Sequence, residues 1–142
     1  MKTIYLKLAL YLILLIRQFP AYASGEEVKS KDDVRLLIDT HASEIAAAVA
    51  CKGYMDGGAV RTNLALTKTE DALKRATNNA EVAKHLTEQI HQSIIESQFD
   101  KQFKEQFDEI SADTSMRIAK CAQLVAGHAE RATEIDRQLG IQ

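Results

Sequence analysis

Apolar residues recur along the chain at three- and four-residue steps, and the steps group into four stretches. Val34, Leu37, Ile38, His41, Ile45, Ala48, Val49 and Met55 lie on one face of an amphipathic helix. Ser30 with Asp33 supplies a hydroxyl N-cap and a first-turn acid, so the helix is predicted from about residue 30 to 56. Gly57-Gly58 ends or kinks it. Over 59–78, Val60 and Leu64 share a face, and Thr67 with Glu70 offers a second capping box before Ala72, Leu73 and Ala76. That spacing predicts a helix interrupted near Thr67 and closed by a turn at Asn78-Asn79.

Residues 80–112 hold no glycine or proline and read as one long helix whose apolar face moves. At about 100° per residue, Val82, Leu86, Ile90 and Ile94 lie at about 0°, 40°, 80° and 120°, and Phe99, Phe103 and Phe107 at about 260°, 300° and 340°. Either the helix bends near Ser97 or its halves pack against different things. A stripe that stays outside is a partner-binding surface, and there Phe103→Asp would spare the fold. A last helix over about 115–139 carries Ile118, Cys121, Val125, His128, Ala132, Ile135 and Leu139 in alternating steps of three and four, ending at Gly140. No stretch reads as a strand. The expected fold is all-α, a small bundle of three to five helices forming one domain over 24–142.

The first 23 residues carry a different pattern. Lys2 and Lys7 precede an unbroken apolar run from Leu8 to Ile16, and Ala21-Tyr22-Ala23 supplies small residues at a cleavage site. This is the layout of a secretory signal peptide cut after Ala23. From Ile4 to Ile16 it spans 13 residues and contains Lys7, short of the ~20 apolar residues that cross a bilayer. Export to the periplasm, or secretion, is therefore expected, with no stable membrane anchor after cleavage. Cleavage removes three basic residues and no acidic one, taking the formal charge from −2 to −5. Basic residues are not in excess, which argues against a nucleic-acid binder working by bulk charge.

Cys51 and Cys121 are the only cysteines, so an oxidising compartment leaves one intramolecular pairing. Closing that loop is worth about 4 kcal/mol in the chain-entropy account. The short C-x-x-C spacing of a redox pair is absent, and so is any N-x-S/T sequon. The mature part contains 17 alanines, four aromatics and no proline, which implies helices packed closely around a thin core.

Candidate chemistry is sparse. Glu88 and His91 form one E-x-x-H, and His85 adds a third polar group, but a ferritin-like metal site needs that motif twice. A solvated face is the simpler reading; no metal and no cofactor are expected. His41 and His128 both fall on apolar seams. With the disulfide fixing an antiparallel register they differ in height by about 4.5 Å, and in a parallel one by about 25 Å. Close together they form a pH-sensing pair that resists double protonation. None of the common nucleophile, phosphate-loop or zinc motifs occurs, so no catalytic residue is assigned and no enzyme is expected.

The segment Cys51-Lys52-Gly53-Tyr54-Met55-Asp56-Gly57 resembles the C-x-G-Y-x-x-G of the Rap/Tai group of periplasmic immunity proteins. That resemblance implies a protein that neutralises a cell-wall amidase toxin. The group's further cysteines and proline-containing segments do not follow the motif here. From the residues themselves, Gly53 is expected to allow close packing beside the disulfide and Tyr54 to cover it. The function expected is an exported, non-enzymatic module that binds another envelope or secreted protein, with homo-oligomers allowed. It would be an inhibitor or immunity-type protein, or a subunit of an envelope secretion or conjugation assembly. An acid- or stress-responsive periplasmic chaperone is the alternative, and a helical metal-binding protein stands behind both.

Overall fold

The computed structural model describes residues 28–141, and the expected signal peptide lies outside them. Five α-helices occur among the described residues: α1 Lys31–Ala50, α2 Gly58–Thr77, α3 Ala80–Glu96, α4 Phe99–Glu109 and α5 Thr114–Gln138. A 3-10 turn, Lys52–Tyr54, follows α1. No strand occurs among the described residues, and no described helix is long and apolar enough to cross a membrane.

The central element is α1. Its buried residues run without a gap from Glu44 to Ala48 and so occupy every side of the helix, the mark of a helix enclosed by others. Ala46, Ala47 and Ala48 carry little bulk, which lets neighbours approach closely. α1 packs against all four other helices, and α2 packs also on α3. The Lys29 amide donates to the Ala76 carbonyl at 2.9 Å, bringing the end of α2 back to the start of α1. Arg75 meanwhile donates to the Ile141 carbonyl at 3.1 Å, so the chain's C-terminal end joins the same pole. Both α2 and α5 therefore run antiparallel to α1. The extensive contacts of α5 are with α1 and the 3-10 turn.

Helix ends follow local chemistry. Ser30 Oγ accepts from the Asp33 amide at 3.1 Å, as the sequence pattern predicts. Asn79 caps α3 and Asp113 caps α5 in the same way, at 3.1 and 2.8 Å. The first helix is shorter than expected, giving way to the 3-10 turn at Cys51 instead of running to residue 56. The expected interruption at Thr67 is absent, since α2 is continuous from Gly58 to Thr77 and its threonines return their hydroxyls to carbonyls one turn back.

The long helix expected over 80–112 is two helices. Gln98 sits in the left-handed region with φ 52°, ending α3 and turning the chain before α4. The rotation answers the moving apolar face: Ile90 and Ile94 on α3 and the phenylalanines on α4 are all brought to the core. Phe99, Phe103 and Phe107 are only 2%, 9% and 7% exposed, so the partner-binding stripe is corrected to core. Phe107 meets Tyr54 edge to face at 5.4 Å and Phe103 at 6.1 Å, with the Arg117 guanidinium over its ring.

Gly57 and Gly58 turn the chain from the 3-10 helix into α2. Gly57 adopts φ 68°. A Cβ on Gly58 would meet the Lys52 carbonyl oxygen and Cα, both backbone atoms, whereas one on Gly53 would meet nothing within 4 Å. The glycine demanded by close packing beside the disulfide is thus Gly58, not Gly53. Gly58→Ala is expected to cost about 2 kcal/mol, the range of an overpacked site, and Gly53→Ala less than about 0.5 kcal/mol. Urea melts of the two variants check this, and equal midpoints would count against the close approach.

Candidate functional site

Three helices bring together a group of polar side chains that runs from the interior to the surface at Lys68 and Thr133. His41 and Glu44 stand one turn apart on α1, Lys68 and Thr69 are neighbours on α2, and Thr133 and Asp136 lie one turn apart on α5. His41 and Thr69 have no exposed surface, and Glu44 and Asp136 are nearly buried. Burying such groups is tolerable only with partners, and most of their polar atoms have them. His41 Nε2 lies 2.7 Å from Asp136 Oδ1. His41 Nδ1 lies 3.3 Å from Thr69 Oγ1, whose hydroxyl also donates to the Ala65 carbonyl at 2.7 Å. Lys68 Nζ donates to Glu44 Oε1 at 3.3 Å, the Ala129 carbonyl at 3.2 Å and Thr133 Oγ1 at 3.0 Å. One ammonium therefore ties α2 to both α1 and α5.

The second Glu44 oxygen is buried without a hydrogen-bond partner among the described residues. It lies 3.8 Å from His41 Nδ1, within ionic reach but too long for a hydrogen bond. Burial pushes the Glu44 carboxyl above its ordinary range, with Lys68 and then His41 pulling it back and Asp136 adding to the rise. As imidazolium, His41 donates from Nε2 to Asp136 and from Nδ1 to Thr69 Oγ1, and the single Thr69 proton stays on the Ala65 carbonyl; a neutral ring donating from Nε2 accepts at Nδ1 only if that proton turns away from Ala65. In the imidazolium state the two acids, Lys68 and His41 sum to zero charge.

Asp136, His41 and Thr69 have the order of an acid–base–hydroxyl relay. Its hydroxyl and its ring are both fully buried, so the group is sealed between helices in this conformation. What it does chemically is bind helix to helix, with α5 attached to α1 by the His41–Asp136 contact and to α2 by Lys68.

The expected disulfide forms, Cys51 and Cys121 being bonded with Cα atoms 5.5 Å apart and both residues fully buried. It sets the antiparallel register that brings His41 and His128 to similar heights, yet His41 turns to Asp136. Helical side chains lean toward their own N-terminus. In an antiparallel pair His41 and Asp136, separated by about 7.5 Å in height, lean toward each other. His128 leans away. Both His41 nitrogens are engaged by Thr69 and Asp136, so neither is turned to His128. His128 sits half-buried on α5, and desolvation holds its imidazole below the ordinary histidine value.

Glu44, Lys68 and Asp136 are absent from the sequence reading because each looks like a residue of a solvated face. The signal that could have found Asp136 is its place one turn beyond Ala132 on the seam. His85 and Glu88 are exposed on α3, with His91 half-buried. No group of three or more potential metal-ligating residues converges among the described residues.

No family model matches the chain, and neither a curated protein nor a solved structure matches it. The likeness of Cys51–Gly57 to the Rap/Tai motif is thus a local one of seven residues.

His128 and Glu44 act on stability with opposite signs. The folded His128 resists a proton that the unfolded chain accepts, so its contribution is lost as pH falls below about 6.5. Folded Glu44 takes up a proton before the unfolded chain does, so its contribution grows as pH falls through its raised value toward 4.5. Relative to the parent protein, His128→Gln should flatten the loss of stability between pH 7.5 and 5, and Glu44→Gln should steepen it. Urea unfolding at three pH values measures both slopes; parallel profiles for all three proteins would refute the assignment.

Proposed function

We propose that the protein is an exported, non-catalytic binding module that recognises another envelope or secreted protein, as an inhibitor or immunity-type protein or as a subunit of an envelope assembly. With the phenylalanines in the core, the carrying observation moves to the edge between α2 and α5. Val60 and Leu64 on α2 are 62% and 63% exposed, and Ile118 on α5 is 46% exposed. Leu64 lies one turn before Lys68, and Ile118 about three turns before Ala129 on the same side of its helix. Because Lys68 bonds Ala129 and the two helices run in the same direction, Leu64 and Ile118 lie toward the edge where α2 approaches α5. Apolar groups kept in water along one edge are the usual mark of a contact surface. The buried disulfide supports an oxidising compartment.

A second reading, an acid-responsive chaperone, draws on His128, whose neutral form burial favours and whose protonation would loosen α5.

Photo-crosslinking in the native host tests the binding reading. A benzophenone side chain at Leu64 or Ile118 should give a discrete adduct with one envelope protein, and the same probe at exposed Glu130 should not. Leu64→Asp with Ile118→Asp should keep the helical content and lose the partner. Equal adduct patterns at all three positions, or none at any, would remove the reading.

A further inference from the structure

A second concave surface lies at the opposite pole from the chain's C-terminal end, where α1 stops at the disulfide. The groove has a volume of about 880 Å³, within the range of ligand sites. Its apolar lining comes from Val49 at the end of α1, Tyr54 of the 3-10 turn and Ile95 at the end of α3. Its rim is basic, with Lys52, Lys101 and Lys104 facing a single acid, Asp100, among the described residues lining it. We infer that this groove takes an acidic segment of another protein, one that offers an aliphatic or aromatic side chain flanked by carboxylates.

Three features carry the inference. The first is charge. The chain is net acidic, yet three lysines gather around one apolar lining, which reverses the sign of the local field. Lys104 pairs with Asp108 at 2.9 Å, but Lys52 and Lys101 make no ion pair among the described residues. The second is exposure. Ile95 is 50% exposed although Ile90 and Ile94 on the same helix are buried, so a large aliphatic group stays in water in the groove lining. The third is rigidity. Lys52 is tied to Cys51 and hence to the disulfide, and Tyr54 is held edge-on against Phe107. Gln98, whose left-handed backbone is costly for a side chain of its size, also lines the groove. A surface fixed in this way loses little freedom on binding.

The shape selects among acidic occupants. A few apolar side chains under an open groove cannot enclose an acyl chain of a dozen carbons. They can cover one or two side chains of a peptide whose backbone stays in water, while its acids reach the lysines. The site is separate from the α2–α5 edge and does not depend on the role proposed for that edge.

Fluorescence anisotropy with the oxidised protein tests it. The probe is a fluorescein-labelled peptide with a leucine-phenylalanine core and three glutamates on each side; a control carries lysines in place of the glutamates. Saturable binding of the acidic peptide is expected, with none of the lysine form. The double variant Lys52→Glu, Lys101→Glu should weaken it at least about ten-fold, as like charges do across a contact, and raised salt should weaken it as well. Ile95→Asp should also weaken it, whereas Leu64→Asp should leave it unchanged, which separates this site from the α2–α5 edge. Circular dichroism confirms that each variant stays folded. Equal binding of the two peptides, binding indifferent to the charge reversal, or palmitate occupying the groove while the acidic peptide does not, would each overturn the inference.

Discussion

The attachment of α5 to α1 at two points is the constraint on which the rest of the structure depends. At one point Cys51 and Cys121 are bonded, and at the other His41 meets Asp136 at 2.7 Å. Fifteen residues of α5 separate them, about 22 Å of helix. Between the two points α5 packs mainly on α1, and Lys68 reaches it from α2 at Ala129 and Thr133. The attachments differ in kind. The disulfide restricts the unfolded chain and is worth about 4 kcal/mol for a loop of this length. The His41–Asp136 contact adds little net energy once the cost of taking its polar groups out of water is counted. Its contribution is direction, because a buried carboxylate and imidazole fit only when α5 has one rotation and one height on α1.

That division of labour suits an alanine-rich helix. α1 buries Ala42, Ala46, Ala47, Ala48 and Ala50, which let neighbours come close but say little about how they should be rotated. Leu37, Ile45 and the α3 and α4 side chains fix one side. The polar cluster fixes the other, and Lys68 extends it by binding α2 to the same place.

Much of the fold was legible in the residues. Ser30 marks a helix start through its own side chain, Asn78-Asn79 marks the turn between helices, Gly140 ends the last helix with φ 67°, and two cysteines in one chain have one pairing. The phenylalanines show where legibility stopped. Their displaced angle was plain, but its meaning depended on Gln98 adopting a left-handed backbone, which nothing about a glutamine announces. The capping pattern at Thr67 misled because the same hydroxyls serve equally well inside a continuous helix. The buried cluster was half visible. His41 stands out as polar on an apolar seam, but height along the helices alone points it to His128. The lean of helical side chains turns His41 toward Asp136 instead, and His128 away.

Hydrogen exchange on the Asp136→Ala variant, kept oxidised, tests the two-point attachment most directly. The account predicts that amides in the last two turns of α5 lose protection while those around Cys121 keep it, because the disulfide still holds that end. An equal loss of protection along all of α5, or none at its C-terminal end, would contradict it.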